Sequence, residues 1–312
     1  MTANDATGHD PVKAAKKGAP GVQYITLKNG YKVWTQRVGD GEIKLLTLHG
    51  GPGCSHEYFE SFEKYLPQEG IQFIYYDQLG SYMSDQPDDP SLWVRQRFVE
   101  ELEEVRQALG LEDFYLIGNS WGGMLTIEYT LKYPKSLKGI VISNMTASIP
   151  SYVEHITELR NQMPDEVRSV LEKYEAAGDY HNPEYEKTMV EHLYTKHICR
   201  LDPWPDAVKR TFDHLSTQVY YTMNGDNEFF INGNIQDWDR WGELKTIAVP
   251  ALIPVGEFDS MSPKQILEME KRMPRARAVI CPGGSHLSMW DSEEVYHREL
   301  IRFIKEVEAR TF

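Results

Sequence analysis

LIGNSWGGML, residues 116–125, sets a serine between two glycines at the point where an apolar run gives way to helical spacing. Such a stretch is either a tight turn that needs a small residue or a sharp strand-to-helix turn that presents a nucleophile. The flanking sequence separates the two readings. DFYLIG, residues 113–118, reads as a short apolar strand, and MLTIEYTLKYP, residues 124–134, as a helix stopped by Pro134. Gly118-Asn119-Ser120-Trp121-Gly122 therefore matches G-x-S-x-G in the strand–turn–helix setting that gives the motif its meaning. The glycines are needed because side chains at those positions would collide at so tight a turn.

Working outward, strand and helix patterns alternate. VQYITL and YKVWTQRV flank Lys28-Asn29-Gly30 and read as a hairpin. EIKLLTLHG and IQFIYYDQ read as strands around a helical stretch from Ser55 to Gln68, and RFVEELEEVRQAL has helical spacing. LKGIVISN adds a strand. From 148 to 242 the spacing is helical, with no convincing core strand. The alternation then resumes with VPALIPVGEFD, a helix from SPKQILEMEKRMP, the strand ARAVICPGG and a closing amphipathic helix, SEEVYHRELIRFIKEVEAR. Apolar strands alternating with helices predict an α/β fold with a mostly parallel central sheet covered on both faces. The expected organisation is a flexible leader (1–20), an α/β core (21–147 and 243–312) and an inserted helical cap (148–242).

The 312 residues are 41% hydrophobic and 12% aromatic, enough for a sizeable core, and carry a net charge of −14. That balance argues against nucleic acid or an anionic membrane as the main partner, since both call for basic surfaces. The three cysteines, Cys54, Cys199 and Cys281, form no CxxC pair, and the ten histidines show no fixed ligand spacing. Neither a metal nor another cofactor is expected. Without an apolar signal segment or a membrane-length run, a cytoplasmic location is expected.

A serine hydroxyl needs a base, and the base an orienting acid, which on this strand–helix pattern follow the serine in the order acid, then histidine. Two histidines lie beyond the resumed alternation. His297 sits inside the closing helix and reads as a solvated helix residue, whereas His286 follows CPGGS on a loop just after a strand. His286 is the candidate base. Asp259, at the end of ALIPVGEF, is the candidate acid, with Glu257 as fallback and helix capping before Ser262 as the plainer role for Asp259. Asp291 reads as a charge near a helix N-terminus. His49-Gly50-Gly51-Pro52-Gly53 leaves backbone N–H groups open to a ligand, as an oxyanion hole requires. The donors named are the N–H groups of Gly51 and Trp121. His49 reads as structural, and Cys54 lies next to the predicted hole.

LHGGPG, YYDQLG, GNSWGG, VYYTMNGDNEF, VGEFD and GGSHLSMWD together resemble the proline iminopeptidase family of α/β-hydrolases, including the tricorn-interacting aminopeptidases and the L-amino acid amidases. These stretches span residues 45–291. The resemblance implies release of an N-terminal residue, often proline, or hydrolysis of an amino acid amide. The expected partner is a small molecule or short peptide with a free amino group. It also implies recognition of that amine by carboxylates near the cap, and Glu228 falls on one such position. On its own, Glu228 would be an ordinary loop acid beside Phe229 and Phe230. Two departures concern the substrate pocket: Ser260 stands where some relatives carry a second glutamate, and Leu79-Gly80-Ser81 replaces an arginine and glycine-rich turn. An esterase or lactonase would share the triad and leave Glu228 unused. A cofactor-free oxygenase or lyase would not need Ser120 with a complete hole.

Overall fold

Residues 43–48, 71–77, 114–119 and 137–143 are apolar on consecutive positions because both faces of the sheet they form are covered. The structure, a computed structural model, describes residues 21–312; the leader predicted for 1–20 lies outside them. Eight strands form one sheet: β1 (Val22–Thr26), β2 (Lys32–Val38), β3 (Ile43–Leu48), β4 (Ile71–Asp77), β5 (Phe114–Asn119), β6 (Leu137–Ser143), β7 (Ala251–Gly256) and β8 (Ala276–Cys281). Their order across the sheet is β1-β2-β4-β3-β5-β6-β7-β8. The β1/β2 and β2/β4 pairs are antiparallel and all the others parallel. Gly30, at φ +90°, turns the β1–β2 hairpin as its Asn-Gly pair predicts.

Alternate side chains along each strand enter opposite cores. Leu46, Leu48, Ile74, Leu116 and Ile140 pack on one face, Leu45, Phe73, Tyr75, Ile117 and Val141 on the other. Helices α1 (Arg95–Leu109) and α2 (Trp121–Lys132) precede and follow β5, and α8 (Pro263–Arg272) links β7 to β8. Between β6 and β7 the chain makes α3 (Ile149–Asn161), α4 (Asp165–Ala177), α5 (Pro183–Met189), a π-helical stretch (Val190–Ile198), α6 (Asp206–Asp213) and α7 (Thr217–Met223). A four-residue helix, α9 (Ser288–Asp291), precedes the closing α10 (Glu293–Glu308).

The structure corrects two expectations. The stretch expected to be one helix from Ser55 is tighter, a 3₁₀ segment over His56–Lys64 and another over Pro67–Glu69. Aromatic packing governs it, with Tyr58, Phe59 and Phe62 buried under the sheet. His297 is not solvated. It is fully buried, stacked on Tyr65 at 4.3 Å, and its Nε2 lies 3.2 Å from Ser61 Oγ. Asp291 stands beside Ser292, the N-cap of α10, in keeping with its reading as a charge near a helix N-terminus; half-buried, it also takes hydrogen bonds from the Ser285 N–H (2.9 Å) and the Arg200 N–H (3.1 Å). Among the described residues no helix is long and apolar enough to cross a membrane, and no cluster of His, Cys, Asp and Glu could hold a metal ion.

Candidate active site

The site lies at the carboxyl ends of the parallel strands. Ser120 caps the N-terminus of α2 at φ +57°, ψ −125°, a left-handed conformation that is strained for a residue with a side chain. The strain is held by the backbone around it: the Ser120 N–H donates to Ser143 O at 3.0 Å, and the Gly123 N–H to Ser120 O at 2.7 Å. A Cβ on Gly118 would collide with the carbonyl of Gly122, and one on Gly122 with the carbonyl of Leu48. Both glycines of the motif are therefore steric requirements of the turn.

Asp259 and His286 follow β7 and β8. The His286 Nδ1 is 2.8 Å from Asp259 Oδ1; since a carboxylate can only accept, Nδ1 donates and Nε2 is the nitrogen left facing the cavity. Nε2 is buried and makes no hydrogen bond. The loops carrying these two residues approach so closely that a Cβ on Gly256 would strike the backbone of Ser285. Burial by itself would lower the His286 pKa, but the Asp259 carboxylate and its hydrogen bond, then Glu228 and Asp291, outweigh it and hold His286 above its ordinary value. Asp259 Oδ1 also accepts the Met261 N–H at 2.8 Å and the Ser260 hydroxyl at 3.3 Å. The fallback acid, Glu257, is exposed and takes the Gly283 N–H at 2.9 Å, so it braces a loop away from the histidine.

Gly51, at φ +104°, and Trp121 border the same small recess as Ser120. Trp121 is the first residue of α2, so its N–H has no acceptor within the helix. The Gly50 N–H is taken by the Tyr58 hydroxyl, and a Cβ on Gly50 would lie 2.9 Å from Ser120 Cβ, which shows how closely this loop abuts the serine. His49 is structural, as expected. Its Nε2 accepts the Gln78 N–H at 3.0 Å, and burial lowers its pKa, keeping the ring neutral. Gln78 Oε1 in turn accepts the Trp121 indole N–H at 2.9 Å, tying the glycine loop to the elbow helix.

A cavity of about 180 Å³ opens over Ser120, lined by Gly51, Cys54, Tyr194, Tyr220, Glu228 and His286 among others. Behind the serine is a small recess of about 20 Å³ with apolar walls from Met124, Met145, Ile149, Ile235 and Met261; Glu228 and Gly51 border it too. Glu228 thus stands where the two spaces meet, 14% exposed, with Oε1 at 4.0 Å from His286 Nε2. The Tyr152 hydroxyl reaches both its Oε1 (3.1 Å) and its backbone oxygen (2.7 Å). Burial pushes the Glu228 pKa up, against the pull of His286 and Tyr152. Cys54 lines the same cavity as Gly51, and burial pushes its thiol up to about 12, so it does so as a neutral group.

Several supporting residues carry no signal in the sequence. The Asn144 side chain donates to the carbonyls of Ser285 (3.0 Å) and His286 (2.6 Å) and so anchors the histidine loop. The end of the π-helical stretch does the same from the other side: His197 O accepts the His286 N–H (3.0 Å) and the Ser260 N–H (3.3 Å), and Ile198 O accepts the Leu287 N–H (2.9 Å). Each lies far in sequence from what it holds. A buried serine hydroxyl, a histidine whose Nε2 makes no hydrogen bond, a carboxylate on its Nδ1 and a helix N-terminus beside the serine are the kinds of group that acyl transfer uses.

Residues 44–293 match the alpha/beta hydrolase fold family. The chain is similar to a proline iminopeptidase of Elizabethkingia meningoseptica, 45% identical over 296 residues that cover 93% of this chain and 99% of the relative. Among solved structures it resembles VinJ, with a TM-score of 0.87 and 31% identity, covering 92% of this chain and 98% of the other. It also resembles a proline iminopeptidase of Mycobacterium smegmatis, with a TM-score of 0.86 and 30% identity over 93% of this chain and 100% of the other.

Proposed function

The chain belongs to the proline iminopeptidase family of α/β-hydrolases, and from that premise we propose that it releases an N-terminal residue, proline foremost, from short peptides through an acyl-enzyme on Ser120. Amino acid amides such as prolinamide are substrates by the same chemistry. The observation that carries this reading is a carboxylate, Glu228, inside the cavity over the serine and beside His286. Ester hydrolysis has no use for it; a substrate ammonium does, because a partly desolvated cation needs an opposite charge.

Ser120 Oγ attacks the scissile carbonyl as its proton passes to His286 Nε2, with Asp259 holding the ring and stabilising the imidazolium. The carbonyl oxygen, now negative, takes the N–H groups of Gly51 and Trp121. His286 then gives its proton to the departing amine, and the C–N bond breaks to leave the ester on Ser120. Water, deprotonated by the same Nε2, releases the amino acid and restores the serine. The cavity of about 180 Å³ over Ser120, with Glu228 and His286 in its wall, is the space that receives the substrate. The reaction proceeds in the cytoplasm on small substrates and needs no metal.

The test compares prolinamide with N-acetylprolinamide. Acetylation removes the cation and strands Glu228, so kcat/KM is expected to fall on the order of 10²- to 10³-fold. Equal rates on both would replace this reading with an esterase or lactonase.

A further inference from the structure

The carboxylate assigned to the substrate amine faces the base itself. Glu228 Oε1 is 4.0 Å from His286 Nε2, the nitrogen that must accept the Ser120 proton and that makes no hydrogen bond. The surroundings leave this pair to each other. Against His286 stand Asp259 on Nδ1, the Ser260 hydroxyl 3.4 Å from the same nitrogen, and Asp291 behind the loop. Around Glu228 stand the Tyr152 hydroxyl and the phenols of Tyr194 and Tyr220 with the Cys54 thiol, all kept protonated and neutral by burial. Among the described residues, His286 is the group able to carry positive charge that is recorded against Glu228.

We propose that Glu228 acts twice. In the empty site it partners the His286 imidazolium; an arriving substrate ammonium then takes the carboxylate over, and His286 releases its proton to water and stands as the neutral base that Ser120 needs. This rests on the aminopeptidase reading above and adds a trigger to it. The direction follows from charge alone. A carboxylate at 4 Å favours the imidazolium, and an ammonium placed on that carboxylate both cancels the attraction and repels a second cation. The raised His286 pKa agrees, with Glu228 among its causes after burial and Asp259. The substrate amine is thereby read in the chemical step as well as in binding: a molecule without it meets a base that is still protonated.

The experiment uses Ser120→Ala, which binds without turnover, with ¹⁵N-labelled histidine and the His286 ring titrated by NMR. Saturating prolinamide is expected to lower the His286 midpoint by about one pH unit, the scale of an opposite charge at this range. N-acetylprolinamide at the same concentration is expected to leave it in place. Ser120→Ala with Glu228→Gln, which keeps a side-chain acceptor for Tyr152, is expected to show the lowered midpoint with no ligand at all. An unchanged midpoint in that double variant overturns the proposal, and so does prolinamide that binds to saturation without moving His286. If prolinamide does not bind while the Glu228→Gln shift is intact, the aminopeptidase reading falls and the amine falls with it as the trigger. The two failures are therefore distinguishable.

Discussion

The loops at the carboxyl ends of β5, β7 and β8 and the helical stretch between β6 and β7 meet at one cavity but contribute different things. The strand-end loops carry Ser120, Asp259 and His286 on backbone fixed by steric contact and hydrogen bonding, down to glycines that admit no Cβ. The helical stretch contributes mostly side chains: Tyr152, Tyr194, Tyr220 and Glu228 line the space. It also leaves large apolar groups in solvent, with Val153 42%, Val190 46% and Tyr221 42% exposed, whereas strands β3 to β7 bury nearly all of theirs. The contrast teaches a division of labour. In the proposed reaction, acyl transfer needs atoms held to a fraction of an ångström and falls to the sheet, while recognition of a small ammonium needs a charge in a pocket and falls to the helical stretch. The two are joined where His197 O and Ile198 O receive the N–H groups of His286, Ser260 and Leu287.

Substitutions on the two sides should therefore differ in which substrates they affect. The largest effect is expected on the sheet side: Ser120→Ala should lower kcat on the order of 10⁴-fold or more for amides, peptides and neutral esters alike, with an unchanged circular dichroism spectrum. More than a tenth of the wild-type rate would break the assignment. On the helical side, Glu228→Gln should lower kcat/KM on the order of 10²- to 10³-fold for prolinamide and should not slow hydrolysis of a p-nitrophenyl ester. Equal losses on both would erase the contrast.

The sheet side should also dominate the acid sensitivity of the fold. Burial holds the folded-state pKa of His297 down to about 3, against about 6.5 in the unfolded chain. Below about pH 6.5 the unfolded state binds the proton and the folded state does not, so this contribution to stability is lost as pH falls from about 6.5 towards 3. His297→Phe keeps an aromatic ring against Tyr65 and Phe62. Urea titrations at pH 7 and pH 5 should show wild type losing about 2 kcal/mol more than the variant across that step. Parallel losses would count against it. The smallest expected effect returns to the helical side. Tyr152→Phe removes the hydroxyl on Glu228 and should cost about tenfold in kcat/KM for free-amine substrates, the usual scale for a hydrogen bond to a charged group, and nothing for neutral esters.

Much of this was legible along the chain. The eight strands, the elbow at Ser120, and Asp259 and His286 each stand at the end of an apolar run, where local pattern marks the place. His297 has polar neighbours, Arg298 and Glu299, and helical spacing alone does not reveal that it faces Phe62 and Tyr65 across the α10 contact. After Ser55 the apolar spacing predicts one helix where the chain forms 3₁₀ segments, because the two share nearly the same apolar spacing. Asn144, Gln78 and His197 were invisible, since what matters in each is the distant backbone it touches.

What the sequence determined by itself was the sheet, the strained serine turn and the order of nucleophile, acid and base, because each follows from short-range sterics and strand periodicity. Only the tertiary structure decided that Asp259 and not Glu257 reaches His286, since side-chain direction at the end of β7 depends on how the β8 loop packs against it. The tertiary structure alone also brought Glu228 to within 4.0 Å of His286, from a loop 58 positions earlier in the sequence. Charges act through space, and no local pattern records which of the chain's many carboxylates folding will carry to the base.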